Sequence, residues 1–169
     1  MGCTPIDPSP VVSLSEAHDV TRFSCGEPTL DRWLKERARR NEDLWASRTF
    51  VIHVDDTVVG YYAISTGEIS RSTVPGSIRR NMPDPIPTIL IGRLAIDLSM
   101  QGRGLGGSLL VDALARIAGI AAIAGSRVGV VDAISEDAHR FYARFGFVET
   151  LNDPMRLVVD LRNLSMSSR

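Results

Sequence analysis

The sequence predicts an α/β fold with a mixed central sheet flanked by helices. Three observations carry this reading. An almost wholly apolar run, Thr88 to Ile96, leads into a glycine-rich turn, a segment with helical periodicity and a second apolar run, Val128 to Ala133. Strand, turn, helix and strand in that order make a βαβ unit, which forces its two strands parallel. Elsewhere, paired strand-like segments are joined by short turns, which makes those pairs antiparallel.

Taken in order, the elements read as follows. Met1 to Pro10 is rich in Pro and Ser, and Leu164 to Arg169 is short and polar; both are expected to be flexible ends of a single domain spanning residues 1–169. Thr29 is placed to cap a helix running to about Asp43, with Leu30, Trp33, Leu34 and Ala38 on one face. Thr49 to Val54 and Val58 to Ser65 read as strands joined by a tight turn at Asp55-Asp56-Thr57. Ser70 to Pro87 carries Pro75, Pro83, Pro85 and Pro87, so it reads as a loop with at most a short helix. The apolar Thr88 to Ile96 has the pattern of a strand covered on both faces. A helix from about Gly104 to Ala118 repeats Leu105, Leu109, Leu110, Ala113, Leu114 and Ile117 at helical spacing. Ser135 caps a helix through Ala143, with Glu136 and Asp137 favourable in its first turn and Gly146 stopping it. Phe147 to Thr150 and Arg156 to Leu161 close the sheet as a hairpin.

The bulk numbers exclude several classes. A chain of 169 residues, 44% apolar and 23% charged, is of ordinary size and composition for one soluble domain. No apolar run approaches the roughly eighteen residues of a membrane span, and the N-terminus lacks a basic-then-apolar signal pattern. A cytoplasmic protein with no membrane partner is expected. Cys3 and Cys25 cannot build a disulfide framework, and His18, His53 and His139 are scattered, so no metal site is expected. Net charge is −1, but Arg32, Lys35, Arg37, Arg39 and Arg40 stand against only Glu36 in one helical stretch. Arg71, Arg79, Arg80 and Arg93 extend a basic first half. Such a patch suits phosphates or is an ordinary solvated surface; the pattern alone leaves both open.

The chemistry centres on Gln101-Gly102-Arg103-Gly104-Leu105-Gly106, followed by Gly107. Glycines let the backbone approach a ligand, and the helix that starts there aims unpaired N–H groups at it, which suits a pyrophosphate. Arg103 can add a charge-assisted contact. Read alone, the turn is equally a ligand-free strand-to-helix connection. No Lys-Ser/Thr pair follows the glycines, which excludes a nucleoside-triphosphate loop, and the GxGxxG spacing of a dinucleotide site is absent.

Following the strand that ends Arg93-Leu94-Ala95-Ile96-Asp97, this turn resembles the acetyl-CoA loop of the GNAT family of N-acetyltransferases. The resemblance narrows through Phe23-Ser24-Cys25-Gly26, Leu30-Asp31-Arg32-Trp33-Leu34, Arg48-Thr49-Phe50-Val51 and Val59-Gly60-Tyr61-Tyr62. It continues through Pro85-Ile86-Pro87, Gly92-Arg93-Leu94-Ala95, Val131-Asp132-Ala133 and Phe141-Tyr142-Ala143-Arg144-Phe145-Gly146-Phe147. These motifs follow one another as in the acetyltransferase toxins of toxin–antitoxin pairs, from about Phe23 to Leu161.

The resemblance implies a GNAT fold in which two parallel strands splay and acetyl-CoA lies in the gap. The backbone of Leu94, Ala95 and Ile96 would bind the pantetheine and polarise the thioester carbonyl. Gln101 to Gly107 would hold the pyrophosphate. Periodicity alone leaves Tyr142 between a core role, flanked by Phe141 and Phe145, and a catalytic one. The resemblance assigns it as general acid for the departing thiolate, a role open to a phenol of pKa about 10. No general base stands out, and an α-amine titrating near about 7.7–8.0 is partly neutral without one. Direct transfer without an acyl-enzyme is expected, and Cys25 lies in the wrong segment to be a nucleophile.

The implied acceptor is aminoacyl-tRNA, whose α-amino group is acetylated to block translation, with Lys35, Arg37, Arg40, Arg79, Arg80 and Arg93 meeting its phosphates. A ribbon-helix-helix antitoxin and a homodimer are the implied partners. Two rivals remain at this point: a GNAT enzyme for a small amine or a protein N-terminus, and a non-catalytic acyl-CoA-binding regulator.

Overall fold

Seven strands hydrogen-bond in the order β1-β2-β3-β4-β5-β7-β6, namely Val12–Ser13, Arg48–Val54, Thr57–Ile69, Ile86–Ile96, Val128–Asp132, Arg156–Asp160 and Val148–Glu149. The labels follow chain order, so β6 is Val148–Glu149 and β7 is Arg156–Asp160. Among the described residues six α-helices accompany them: α1 (Pro28–Glu36), α2 (Ala38–Asp43), α3 (Gly76–Arg79), α4 (Leu105–Ala124), α5 (Glu136–Arg144) and α6 (Leu161–Met166). This computed structural model describes residues 6–166, with side chains described as far as residue 164. Cys3 and the extremes of the two expected flexible ends, residues 1–5 and 167–169, lie outside the described residues.

The described chain packs as two compact units, residues 6–64 with 93–112, and residues 65–92 with 113–166. In the first unit, β2 and β3 form an antiparallel hairpin in which Val54 pairs with Thr57. Asp55 and Asp56 make the turn with φ of 47° and 65°, a left-handed pair that short acidic side chains tolerate and that matches strand twist. β3 begins one residue earlier and ends four residues later than the sequence pattern indicates. The added edge strand β1 pairs Val12 with Val51; at two residues it is too short to show a period.

The expected Thr29–Asp43 helix is two helices. Pro28 occupies the first turn of α1, where a missing N–H costs nothing, so the cap position is Glu27 and Thr29 lies inside the helix. The chain breaks at Arg37, with φ −120° and ψ −33°, and α2 resumes at Ala38. Across the break Trp33, Leu34 and Ala38 all stay buried, while Leu30 is half-buried. They join Phe23, Val51, Tyr61 and Ala95 in the first core. Tyr61 stacks on Trp33 at 6.0 Å and 8°, meets Phe23 edge-on at 5.4 Å, and donates its hydroxyl to the Leu30 carbonyl at 2.7 Å.

The second unit is built on the expected βαβ return. β4 and β5 run parallel, in register from Thr88↔Val128 to Ile91↔Val131. β4 then continues to Ile96 beyond that ladder, and Gly92 is exposed while Arg93, Leu94 and Ile96 are only half-buried. Complete cover on both faces, expected for the whole run, is therefore not met: Leu90 within the ladder is also half-buried, and beyond it only Ala95 is buried. β7 lies between β5 and β6 and pairs antiparallel with both. Ile69, Val74, Ile78, Ile86, Val128, Val130 and Val158 make the core of this unit. Arg127 fixes the start of β5 to the end of β7 through a two-pronged pair with Asp160, at 2.8 and 2.9 Å. Ser135 caps α5 by accepting from the Ala138 N–H at 3.1 Å.

α4 contributes residues 105–112 to the first unit and 113–124 to the second. It passes the expected stop at Ala118. Gly119 weakens a helix by about 1 kcal/mol, but the burial of Ile117 and Ala121 on either side outweighs that, and the helix ends before Gly125, whose φ is 81°. At twenty residues, α4 is long and apolar enough to cross a membrane by length and composition, contrary to the expectation that no apolar run approaches that length. Its Leu109, Leu110, Ala113, Leu114, Ile117 and Ala121 are buried in the protein, while Val111, Ile120 and Ile123 are exposed.

Candidate active site

The connection from β4 to α4 is held by side chains that sequence reasoning left without a role. Asp97 accepts from the Ser24 N–H at 2.8 Å and from the Ser99 N–H at 3.0 Å, capping a single 3-10 turn, Leu98–Met100. Burial works to raise the Asp97 carboxyl, but these bonds and the Ser99 hydroxyl outweigh it and hold it below the usual carboxylate range. An Asp two residues before a Ser is a local turn signal that could have identified it. Gln101 follows, and its side-chain amide donates to the carbonyls of Ile96 and Cys25, each at 2.9 Å.

Gly102 and Gly104 have φ of 79° and 77°, a region that L side chains enter at a cost. A Cβ built on either would meet nothing within 4 Å, so open space lies above both. Leu105 then opens α4, whose first turn holds no acidic residue. The first N–H groups of a helix have no partner within it, and the helix dipole favours an anion there. An exposed, glycine-shaped turn leading into a twenty-residue helix fits a pyrophosphate. Gln101 to Gly104 are exposed, and Leu105, Gly106 and Gly107 are half-buried.

Arg103 does not stand free beside this turn. Its guanidinium donates to the Ile6 carbonyl at 3.1 Å and lies 3.9 Å from the Asp7 carboxylate. In β4, Ala95 points into the first core, while Leu94 and Ile96 are half-buried. Nearby, burial and the Asp31 carboxylate push the Cys25 thiol up to about 11, so little nucleophilic thiolate exists at neutral pH.

The basic residues separate by environment. Lys35, Arg37 and Arg40 are exposed on and between α1 and α2. Arg39 is half-buried and donates to the carbonyls of Ser15 and His18, so it belongs to the fold. Arg93 is also half-buried, and its guanidinium lies 4.4 Å over the Trp33 ring. These residues and the glycine turn belong to the first unit; Arg79, Arg80 and Tyr142 belong to the second, where Arg79 and Arg80 are exposed at the end of α3.

Tyr142 sits on α5 and is 7% exposed. Phe141 and Phe147 meet its ring edge-on at 5.3 and 5.7 Å. Burial pushes its phenol up to about 12, so it is a protonated donor throughout the neutral range. Among the described residues its hydroxyl has no hydrogen-bond partner. The ring is held by its aromatic neighbours while its hydroxyl carries a proton and no partner among the described residues, so aromatic packing does not exclude a donor role.

Comparison with known proteins follows this geometry. A family described as "Acetyltransferase (GNAT) domain" matches residues 45–149. A tRNA-acetylating toxin of Mycobacterium tuberculosis is 45% identical over 150 residues, 89% of this chain and 90% of the relative. A structure of AtaT complexed with acetyl-methionyl-tRNAfMet is similar with a TM-score of 0.88 at 26% identity, covering 96% of this chain and 100% of that one. A mutant AtaT toxin bound to the C-terminus of the antitoxin AtaR and acetyl-CoA is similar with a TM-score of 0.80 at 25% identity, covering 94% and 97%.

Proposed function

Since this chain belongs to the GNAT acetyltransferase family, we propose that it transfers acetyl from acetyl-CoA to the α-amino group of aminoacyl-tRNA and so acts as a toxin that blocks translation. The observation that carries this reading is the likeness, along nine-tenths of the chain, to a toxin that acetylates tRNA. The open glycine turn at the start of α4 supports it, because it supplies the anion site that acetyl-CoA needs.

The residues then divide the work. The main chain of Gln101 to Gly107 grips the pyrophosphate, and Arg103 joins it by leaving Ile6 and Asp7. Backbone groups of Leu94, Ala95 and Ile96, beyond the last pair of the β4–β5 ladder, bind the pantetheine and steady the thioester carbonyl. Acetyl-CoA supplies an activated acyl group with a thiolate leaving group. As the neutral amine attacks and the C–S bond breaks, Tyr142 gives its hydroxyl proton to the departing thiolate, and water takes the proton shed by the amine and returns one to the phenolate. Lys35, Arg37, Arg40, Arg79, Arg80 and Arg93 meet the phosphates of the tRNA. An antitoxin of ribbon-helix-helix type, a homodimer and a cytoplasmic location complete the proposal.

The test incubates the protein with labelled acetyl-CoA and total aminoacyl-tRNA, then identifies the labelled aminoacyl ends. Acetylated α-amines are expected. Equal labelling of deacylated tRNA rules out the amine as target, and equal rates on a free amino acid ester favour a small-amine enzyme. Tight acetyl-CoA binding without turnover favours a regulator.

A further inference from the structure

The Arg93 guanidinium is partly withdrawn from water, yet among the described residues no carboxylate or carbonyl partners it. Burial lowers its pKa, the sign of a cation held at a cost. A cation in that position is retained only where something repays its desolvation. Trp33 repays part: the guanidinium lies 4.4 Å over its ring, a geometry that attracts a cation to one face. Trp33 is itself immobilised, 9% exposed and stacked on Tyr61, which is pinned by Phe23 and by the Leu30 carbonyl. That contact anchors the guanidinium to one face of a fixed ring, and among the described residues its N–H groups have no hydrogen-bond acceptor, which leaves them for an anion.

We infer that Trp33 is a positioning residue that holds Arg93 over its ring so that the guanidinium N–H groups take a phosphodiester of the acceptor nucleic acid. A planar fork matches two phosphate oxygens, which an ammonium cannot do. The neighbouring charges favour a polyanion over a lone carboxylate: exposed Lys35 in α1, Arg37 at the break and Arg40 in α2 follow Trp33 in the chain, and all belong to the unit that holds Arg93. The inference rests on the aminoacyl-tRNA reading and assigns a role to a residue that reading leaves in the core.

The test compares the wild type with Trp33→Phe, Trp33→Leu and Arg93→Gln on total aminoacyl-tRNA and on aminoacyl esters of adenosine, which carry no phosphate. Trp33→Leu and Arg93→Gln are each expected to raise KM for aminoacyl-tRNA about tenfold, with kcat changed by less than about twofold. The slope of log KM against log salt falls by about one, and KM for the esters stays within about twofold. Trp33→Phe lies between, since its smaller ring keeps a cation face. An equal rise in KM on both substrates overturns the assignment, as does a rise confined to acetyl-CoA or wild-type kinetics in Trp33→Leu. If thermal denaturation shows Trp33→Leu misfolded, Trp33→Phe and Arg93→Gln carry the comparison. Binding of deacylated tRNA separates this inference from the reading beneath it. A wild type that acetylates neither substrate defeats the aminoacyl-tRNA reading, while a tenfold loss of deacylated tRNA affinity in Arg93→Gln, of about the size given above, still upholds the phosphate site. Unchanged affinity removes it.

Discussion

The Gln101 side-chain amide donates to the Ile96 carbonyl at 2.9 Å and closes the end of β4 onto the turn that opens α4. The same nitrogen donates to the Cys25 carbonyl, so one amide ties together three segments of the first unit. Gln101→Glu removes both donors and sets a carboxylate against two carbonyls. A loss of about 1–3 kcal/mol of stability is expected, with weakened acetyl-CoA binding, measured by thermal denaturation and calorimetric titration. A wild-type melting temperature shows that the latch has no structural weight.

Gly102 and Gly104 are required for their backbone angles rather than for space, since nothing lies within 4 Å of either would-be Cβ. Alanine at either position is expected to cost about 1–2 kcal/mol, and asparagine less, because Asn enters the left-handed region more readily. Acetyl-CoA affinity tracks the same order. Equal effects of Ala and Asn argue for crowding by the ligand instead.

Tyr142→Phe keeps the aromatic packing and deletes the donor. kcat is expected to fall by about 10²–10⁴, with acetyl-CoA affinity nearly unchanged. Because burial raises the phenol to about 12, its protonated form persists through the assay range, and the wild type shows no alkaline loss from this group below about pH 10. A steep fall in kcat between about pH 8 and 9 assigns the acid elsewhere.

Arg37→Gln and Arg40→Gln remove exposed cations that make no structural contact comparable to that of Arg39. Each is expected to leave the melting temperature unchanged, to raise KM for aminoacyl-tRNA, and to reduce the salt slope by about one. Salt slopes equal to that of the wild type place the tRNA on another surface.

Burial works to raise the Asp160 carboxyl, but the Arg127 guanidinium outweighs it, so the folded group titrates below its ordinary value. A carboxyl that ionises more easily folded than unfolded adds stability above the unfolded pKa of about 3.9, and that contribution is lost as pH falls through the lower folded value. Asp160→Asn is expected to cost about 2–3 kcal/mol at neutral pH, because it leaves Arg127 without its counter-charge. The deficit shrinks on acidification, and stability curves at pH 7 and pH 3 read the difference. A pH-independent deficit assigns the loss to packing.

What was legible in the sequence was local. The Asp55-Asp56 turn, the Ser135 cap and the Gly146 stop each follow from residues within a few positions of one another, and the βαβ return follows from the order of strand, turn, helix and strand. The break at Arg37 carries no glycine or proline; it lets Trp33, Leu34 and Ala38 reach one core from two axes, and only tertiary packing specifies it. α4 overran its expected end for the same reason. The contact of Trp33 with Arg93 joins residues sixty positions apart, and the Gln101 link to Cys25 spans seventy-six, so no window of sequence contains either. In the sequence Arg93 is a cation and Gln101 part of a motif; what holds each of them is a contact that only the fold creates.

β7 is made after every other strand, yet it occupies an interior place, with β5 on one side and β6 on the other. A growing polypeptide that has reached residue 150 carries Tyr142 and its helix but lacks the partner both strands need. Domains form as their last required segment emerges from the ribosome. A chain halted before residue 160 thus lacks the strand that joins β5 to β6, and the acetyltransferase fold is completed only when synthesis has passed that point.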